Sequence, residues 1–155
     1  MVPLLRLTHV GICVSDMERS PCFYRDLLGF RFEHELRVDG EPSDTLLRLR
    51  DVRLHAVYLQ RDGVRIELLH FASPPSPPAR SRPMNEPGLT HLSCRVADME
   101  ATLTALRAAG ERVLEETVIR IPAFQSAACF VVDPDGQLIE LVQSPGDPAA
   151  PPRAD

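Results

Sequence analysis

The 155-residue sequence contains no lysine and no tryptophan, and all 17 of its basic residues are arginines. Because imine chemistry needs a side-chain amine, the absence of lysine excludes aldolases that form a lysine Schiff base and enzymes that anchor pyridoxal phosphate on lysine. No apolar run approaches the roughly 18 residues of a membrane-spanning helix. The first residues also lack a charged segment followed by a long apolar run, so we expect neither a secretory signal nor a membrane partner.

The charge and the cysteine spacing exclude further classes of protein. The formal net charge is −5, so the chain lacks the positive field that gathers phosphates, and we expect no nucleic-acid partner. Its cysteines are too far apart for a CxxC pair and lie at Cys13, Cys22, Cys94 and Cys129. This spacing is typical of free thiols in a reducing compartment, so we expect a cytoplasmic location.

Prolines divide the chain into segments. A proline-rich stretch over residues 73–88 can form neither a helix interior nor a central strand. A second proline cluster begins at Pro145, after the last apolar run. We therefore predict a first module over residues 1–72, a linker over 73–88, a second module over 89–144 and a disordered tail over 145–155.

The two modules resemble each other in sequence. Thr8-His9-Val10 is matched by Thr90-His91-Leu92, and the segment that begins at Val14 is matched by the one that begins at Val96, both 82 residues apart. A third match, 73 residues apart, joins Asp62–Leu69 to Asp135–Val142. Two matches in one register are hard to obtain by chance, so we predict a paired module that closes on itself.

Each module is predicted to follow the order strand, helix, strand, strand, strand. In the first, Ser15 or Asp16 is the expected helix N-cap, and Asp62-Gly63 is the expected hairpin turn. In the second, the periodicity predicts a helix over residues 98–109. The stretch over residues 39–51 is ambiguous between a loop and a short helix. Two βαβββ modules give an α+β fold in which helices pack on mixed sheets.

Four side chains of metal-ligand type are predicted to point away from the helices: His9, Glu67, His91 and Glu140. Both glutamates lie between apolar residues, where a carboxylate is costly unless it is paired. A lone strand histidine is usually a satisfied core or surface residue, which is the expectation for His34, His55 and His70. Two imidazoles and two carboxylates in repeat register instead favour a divalent ion with open positions for water or substrate.

These residues resemble the vicinal oxygen chelate superfamily, which includes glyoxalase I, methylmalonyl-CoA epimerase, the extradiol dioxygenases and the bleomycin and fosfomycin resistance proteins. The resemblance covers residues 7–143 and rests on Thr8–Gly11, Phe23–Phe30, Thr90–Leu92 and Asp133–Gly136 before Ile139–Leu141. It implies two βαβββ modules that form a half-open mixed β-sheet cup around a metal, with helices outside. It also implies that the protein is often a homodimer.

The resemblance further implies a ligand set and a reaction. The family's ligand positions fall on His9, Glu67, His91 and Glu140, and the expected cofactor is a divalent ion: Ni, Co, Zn, Mn or Fe. Four protein ligands on an octahedral ion leave two positions for a small oxygen-chelating substrate, whose charge next to a carbonyl the ion stabilises. In glyoxalase I-like sites a metal-bound glutamate can take the proton, so Glu67 and Glu140 are the candidate catalytic bases. We expect a metal-dependent lyase or isomerase.

Two alternatives stay open at this point. A resemblance to extradiol dioxygenases implies a metal site of two histidines and one glutamate. His9, His91 and Glu140 alone would provide such a site, so an Fe(II) or Mn(II) dioxygenase is the first alternative. The second is a resistance protein that sequesters a drug without catalysis. Such members lack the metal ligands and line their groove with aromatics, whereas this chain has 5% aromatic residues and four residues of ligand type.

One segment departs from the pattern of methylmalonyl-CoA epimerase. That enzyme adds a glutamate just before its third strand, whereas residues 46–52 contain no glutamate and only Asp51 as an acid. The departure counts against methylmalonyl-CoA itself as the substrate. Four arginines are candidates for an anionic substrate tail, although solvated arginine is the commoner outcome: Arg48, Arg50, Arg53 and Arg95. The sequence leaves open whether a site is built within one chain or across a dimer.

Overall fold

The computed structural model describes residues 2–78, 80 and 82–150. The chain divides into two compact units, Met1–Pro78 and Ala79–Asp155, and each contains one four-stranded sheet. Both sheets contain parallel and antiparallel neighbours, and few helices accompany them. This confirms the α+β class. Two positions of the predicted linker, 79 and 81, and the end of the predicted tail, 151–155, lie outside the described residues.

The first unit contains four strands and two short α-helices. The strands are β1 (Val10–Cys13), β2 (Arg31–Asp39), β3 (Arg53–Arg61) and β4 (Val64–Ser73), and the helices are α1 (Arg19–Cys22) and α2 (Glu41–Leu47). The strand order is β1-β4-β3-β2, in which β1 and β4 are parallel and the other neighbours are antiparallel. The ambiguous stretch before β3 therefore contains α2.

The second unit repeats this topology. Its elements are β5 (His91–Arg95), α3 (Met99–Ala108), β6 (Ile119–Ile121), β7 (Ser126–Val132) and β8 (Leu138–Gln143). The strand order is β5-β8-β7-β6, again with the first neighbours parallel and the others antiparallel. The sequence repeat is thus a repeat of the fold. None of the described helices, including α3, is long and apolar enough to cross a membrane.

Equivalent aspartates begin the helical segment of each unit. Asp16 Oδ1 accepts the backbone N–H groups of Glu18 and Arg19 at 2.7 and 2.9 Å. Asp98 Oδ1 accepts the N–H of Ala101 at 3.0 Å. Because hydrogen bonds to a carboxylate favour its charged form, chiefly the one from Arg19 and then the one from Glu18, the pKa of Asp16 is lowered.

The first helical segment differs from the regular helix that the sequence predicts. Only Arg19–Cys22 is α-helical, and Phe23–Leu27 is a π-helical turn. Pro21 lies within α1 and has no N–H to donate, which weakens the α-helical pattern there. Leu28 N–H donates to Phe23 O at 3.1 Å, five residues back. The π-helical turn still buries Phe23, which is 1% exposed.

The predicted Asp62-Gly63 turn is confirmed, and a second turn connects the last two strands of the second unit. Asp62 and Gly63 connect β3 to β4 with positive φ values of 51° and 79°, the geometry of a type I′ hairpin. Between β7 and β8, Gly136 N–H donates to Asp133 O at 3.0 Å. The buried Asp133 carboxylate also accepts the N–H of Gln137 at 2.8 Å. Both hairpins therefore fix which residues of neighbouring strands lie opposite each other.

Alternation along β4 and β8 separates a helix-facing side from a second side. Ile66, Leu68, Ile139 and Leu141 are at most 1% exposed. In the second unit, the buried residues also include Met99, Leu103 and Leu106 of α3. Since side chains alternate along a strand, the glutamates between these apolar residues point to the opposite side of their sheet.

Candidate metal centre

His9 and Glu67 come together in the first unit. His9 immediately precedes β1, and Glu67 lies in the middle of β4, the parallel neighbour of β1. His9 Nε2 is 3.1 Å from Glu67 Oε2, and the two side chains are 35% and 13% exposed. This unit therefore presents a nitrogen donor and an oxygen donor side by side, with the carboxylate largely shielded from water.

Two hydroxyl groups support this pair. Thr8 Oγ1 lies 3.0 Å from His9 Nδ1, and the Tyr58 hydroxyl donates to Glu67 Oε1. The Tyr58 ring also stands edge-on to the His9 ring, with 5.4 Å between centroids. Burial, and then the hydrogen bond to the Glu67 carboxylate, raises the pKa of Tyr58 to about 12. The phenol consequently keeps its proton and remains a donor.

The second unit contains the equivalent pair. His91 begins β5 and Glu140 lies in β8, with 3.7 Å between Nε2 and Oε2 and 29% exposure of each side chain. Thr90 Oγ1 lies 2.9 Å from His91 Nδ1, and the Ser93 hydroxyl donates to Glu140 Oε2 at 2.7 Å. Phe130 stands edge-on to His91 at 5.6 Å. The repeat thus extends from the backbone to the side chains around each histidine.

The donor chemistry of each pair fits half of a metal site. The threonine hydroxyl lies within hydrogen-bond distance of Nδ1 in both units. In the tautomer whose Nδ1–H donates to that hydroxyl, the Nε2 lone pair is available for a ligand bond. Adjacent ligands of an octahedral ion lie about 3 Å apart when each bond is about 2.1 Å. The first pair is near that separation. The same separation suits a direct hydrogen bond, so the pair is also satisfied without an ion.

The structure brings these donors together two by two. His9 and Glu67 belong to the unit Met1–Pro78, and His91 and Glu140 belong to the unit Ala79–Asp155. In the described part of the chain, no group of three or more histidine, cysteine, aspartate or glutamate side chains is arranged to hold a metal ion. The ligand set of four stays a prediction.

Sequence reasoning missed the two hydroxyl donors to the glutamates. Tyr58 lies opposite Glu67 in the β3–β4 pairing. The Asp62-Gly63 turn contains the signal that would have found it, because a two-residue hairpin places residues 61 and 64 opposite each other and hence 58 opposite 67. Ser93 lies opposite Glu140 in the parallel β5–β8 pairing, and no turn connects those strands to reveal it.

Two of the other histidines, His34 and His55, make different contacts. His55 Nε2 lies 2.7 Å from Glu35 Oε2, and its Nδ1 lies 3.4 Å from a guanidinium nitrogen of Arg37. His34 stacks on the Tyr58 ring at 4.3 Å between centroids. These three contacts are those of sheet residues with partners of their own, in agreement with the expectation from their lack of repeat partners.

The candidate arginines separate into two groups. Arg95 donates to the backbone carbonyls of Ser144 and Pro145, so its guanidinium holds the chain after β8 and is withdrawn from the candidates for an anionic substrate tail. The remaining three are exposed: Arg48, Arg50 and Arg53. Their solvent exposure leaves them available to a ligand without assigning one.

The segment before β3 shows how its acids are used. Asp51 is exposed, with a positive φ of 55°. The Asp44 carboxylate accepts the N–H groups of Asp51 and Val52 at 3.1 and 2.8 Å. Asp44 therefore closes this loop. Asp51, the one acid near the place where the epimerase pattern has a glutamate, stays exposed.

Known proteins share this sequence pattern and this fold. The sequence profile of the Glyoxalase/Bleomycin resistance protein/Dioxygenase superfamily matches residues 6–141. The ethylmalonyl-CoA/methylmalonyl-CoA epimerase of Cereibacter sphaeroides is 33% identical over 141 residues, which cover 89% of this chain and 97% of that protein. The similarity therefore extends over both units.

Solved structures match as well. A glyoxalase family protein from Bacillus cereus has a TM-score of 0.79 at 24% identity, covering 94% of this chain and 97% of that one. The fosfomycin resistance protein FosX from Listeria monocytogenes, solved with Mn(II) and sulfate, has a TM-score of 0.59 at 12% identity, covering 92% and 94%. These TM-scores show a shared fold, and one of the neighbours was solved with a divalent metal. With the profile matched along most of its length, the chain belongs to the glyoxalase/bleomycin resistance protein/dioxygenase superfamily.

Proposed function

We propose that this protein is a metal-dependent lyase or isomerase that moves a proton next to a carbonyl of a small oxygen-chelating substrate. The observation that carries the proposal is the repeated donor pair, an imidazole nitrogen and a carboxylate oxygen 3.1 Å apart in one unit and 3.7 Å apart in the other. Membership of the superfamily and the similarity to an epimerase support this class of reaction.

The proposed ligands of the ion are His9, Glu67, His91 and Glu140. Two imidazoles and two carboxylates suit Ni(II), Co(II), Zn(II), Mn(II) and Fe(II). If both pairs bind one ion, the two pairs come either from one chain or from two copies of the chain. A homodimer is part of the proposal. When bound, the ion supplies Lewis-acid stabilisation of negative charge on a substrate oxygen.

The two carboxylates are the proposed bases. A base must present an oxygen to the C–H group of the substrate. The contacts described above use the two carboxylate oxygens of Glu67 and of Glu140 in different ways. Both contacts of Glu140 are made by Oε2, which leaves Oε1 as the oxygen to receive a proton. Glu67 uses Oε1 for Tyr58 and Oε2 for His9. Epimerisation requires a group on each face of the substrate carbon, whereas a one-base reaction requires a single carboxylate.

The proposal leaves out methylmalonyl-CoA itself, because residues 46–52 contain no glutamate, which counts against that substrate. The one acid of that segment, Asp51, is exposed, and the preceding Asp44 carboxylate accepts backbone N–H groups. The substrate class is therefore a carbon acid that chelates through two oxygens, such as the hemithioacetal of a 2-oxoaldehyde or a 2-substituted malonyl thioester other than methylmalonyl-CoA.

The test combines metal analysis with two reaction assays. Protein purified without added metal is analysed for its elements and then incubated in deuterated buffer with hemithioacetals, malonyl thioesters and catechols. We expect a bound divalent ion and deuterium at the substrate α-carbon, without oxygen uptake. Oxygen uptake with a catechol and no exchange would establish the dioxygenase alternative. Tight binding of a drug by metal-free protein, with no turnover of any compound, would establish the sequestering alternative.

A further inference from the structure

The two histidine–glutamate pairs differ in one hydroxyl group. Tyr58 lies opposite Glu67 in the β3–β4 pairing, and Phe130 lies opposite Glu140 in the β7–β8 pairing. Each ring stands edge-on to the histidine of its own unit, at 5.4 and 5.6 Å between centroids. The aromatic ring is therefore common to both units, and only Tyr58 adds a hydroxyl at this position.

The second unit takes its hydroxyl from a different strand. Ser93 of β5 lies beside Glu140, whereas the equivalent residue of β1, beside Glu67, is Gly11. A Cβ on Gly11 would lie 3.2 Å from Leu69 Cδ1 and 3.9 Å from Glu67 Oε2. A side chain on β1 would therefore press on Leu69 next to the carboxylate, and in this unit the hydroxyl comes from β3 instead.

The two hydroxyls bind different oxygens of their carboxylates. Ser93 donates to Oε2 of Glu140, which is also the oxygen nearest the imidazole of that unit. Tyr58 donates to Oε1 of Glu67, whereas Oε2 is the oxygen that faces His9. The phenol thus fixes the carboxylate without occupying the oxygen beside the imidazole.

Tyr58 is itself held in place. Its ring stacks on His34 with 4.3 Å between centroids and 9° between planes, and it meets His9 edge-on at 85°. A ring with two such contacts has little rotational freedom, so its hydroxyl is positioned before any ligand arrives. We propose, resting on the metal-dependent function above, that Tyr58 is a positioning residue that holds Glu67 with Oε2 toward His9 and prepares this pair for a divalent cation.

The first test removes the hydroxyl and keeps the ring. Metal-free Tyr58→Phe is titrated with Co(II) by calorimetry, and the visible absorption of the Co(II) form is recorded. We expect binding about 10- to 100-fold weaker than in the wild type, and a changed spectrum, because groups that orient ligands contribute at this level. The matched control is Tyr24→Phe, which removes the hydroxyl of the chain's only other tyrosine, a core residue, and should leave Co(II) affinity unchanged.

A rescue variant separates positioning from a merely structural role. Adding Gly11→Ser to Tyr58→Phe supplies a hydroxyl from the strand position that Ser93 occupies in the other unit, and Leu69→Ala is added to remove the methyl group that a Cβ at position 11 would press on. We expect this triple variant to regain part of the Co(II) affinity that Tyr58→Phe/Leu69→Ala has lost. A triple variant that binds no better than Tyr58→Phe/Leu69→Ala while folding normally would count against positioning by a hydroxyl.

A readout without metal completes the test. The imidazole ¹⁵N resonances of His9 should move in metal-free Tyr58→Phe, while those of His91 should not. Unchanged His9 resonances, together with Co(II) affinity within about twofold of the wild type, would overturn the positioning role and leave the proposed function intact. Wild-type protein that binds no Co(II) would overturn the proposed function, and the His9 resonances would then decide the role of Tyr58 by themselves.

Discussion

The two units share a backbone and diverge in how they support their carboxylates. Both place a threonine before the histidine and an aromatic ring beside it, at matching strand positions. The carboxylate of the first unit is 13% exposed and the carboxylate of the second is 29% exposed. The donors, the threonines and the aromatic rings therefore recur, and the units differ in the hydroxyl group that binds each carboxylate and in the exposure of that carboxylate.

The largest effect is expected from neutralising the carboxylates one at a time. Glu67→Gln and Glu140→Gln keep an oxygen that can accept the hydroxyl of Tyr58 or Ser93, but each removes a base and a charge. If both carboxylates serve as bases on opposite substrate faces, each variant should lose about 10² to 10⁴-fold in kcat while retaining metal. The measurement is α-carbon deuterium exchange alongside metal content. A loss confined to one variant would indicate a one-base reaction, and full activity in both would remove the carboxylates from catalysis.

The cores of the two units allow a comparison of packing. Leu68 and Leu141 occupy equivalent strand positions and are 0% and 1% exposed. Replacing either leucine by alanine removes buried methyl groups and leaves a cavity, so each variant should lower the free energy of unfolding by about 2 to 5 kcal/mol. Urea denaturation measures this directly. A loss below about 1 kcal/mol in one unit alone would show that its core rearranges to fill the space.

Metal binding should stabilise the folded protein. A cation that binds only the folded state adds RT ln(1 + [L]/Kd), about 2.7 kcal/mol at a hundredfold excess over Kd. The melting temperature should therefore rise with Ni(II), Co(II), Zn(II) or Mn(II). His9→Gln and His91→Gln test each half, and both should reduce the rise if one ion uses both pairs. An unchanged melting temperature with every cation would contradict the metal site.

The smallest effect concerns the helix starts. Asp98→Ala removes the acceptor for the Ala101 N–H and should destabilise the fold by about 1 kcal/mol, as measured by urea denaturation.

The equivalent Asp16 has a lowered pKa, so the charged carboxylate stabilises the fold above the pKa it has in the unfolded chain. That contribution is lost as pH falls through the lower folded pKa. Thermal melts from pH 5 to pH 2 should show a steeper decline for the wild type than for Asp16→Asn, and parallel curves would contradict the linkage.

Much of the fold follows from the sequence because the repeat and the strand alternation are local patterns. The buried residues on either side of Glu67 and Glu140, and the hairpin at Asp62-Gly63, follow from spacing alone. Local patterns do not show that the first helical segment continues after Cys22 as a π-helical turn, since there the backbone hydrogen bonds reach five residues back instead of four. They also do not place β6, because its three residues are too few to distinguish a strand and all three are exposed.

The candidate site also contains some residues that the sequence reveals and others that it does not. The four ligand-type residues stand out in the sequence because they recur in register. The structure brings together one histidine and one glutamate in each unit, and the set of four ligands stays a prediction. Tyr58 and Ser93 do not recur, because each unit takes its hydroxyl from a different strand. A search based on repetition finds what the two halves have in common and passes over what distinguishes them.

The two-residue turn at Asp62-Gly63 has a consequence for which length changes this protein can tolerate during evolution. One added residue there would shift the β3–β4 pairing and exchange the two faces of a strand relative to its neighbour. Tyr58 would then leave Glu67, and Val57 or Leu59 would face a carboxylate. The loop around α2 lies far along the chain from this turn and is free of that constraint. We therefore expect relatives that diverge in substrate to vary in the length of the α2 loop and to keep the β3–β4 turn at two residues.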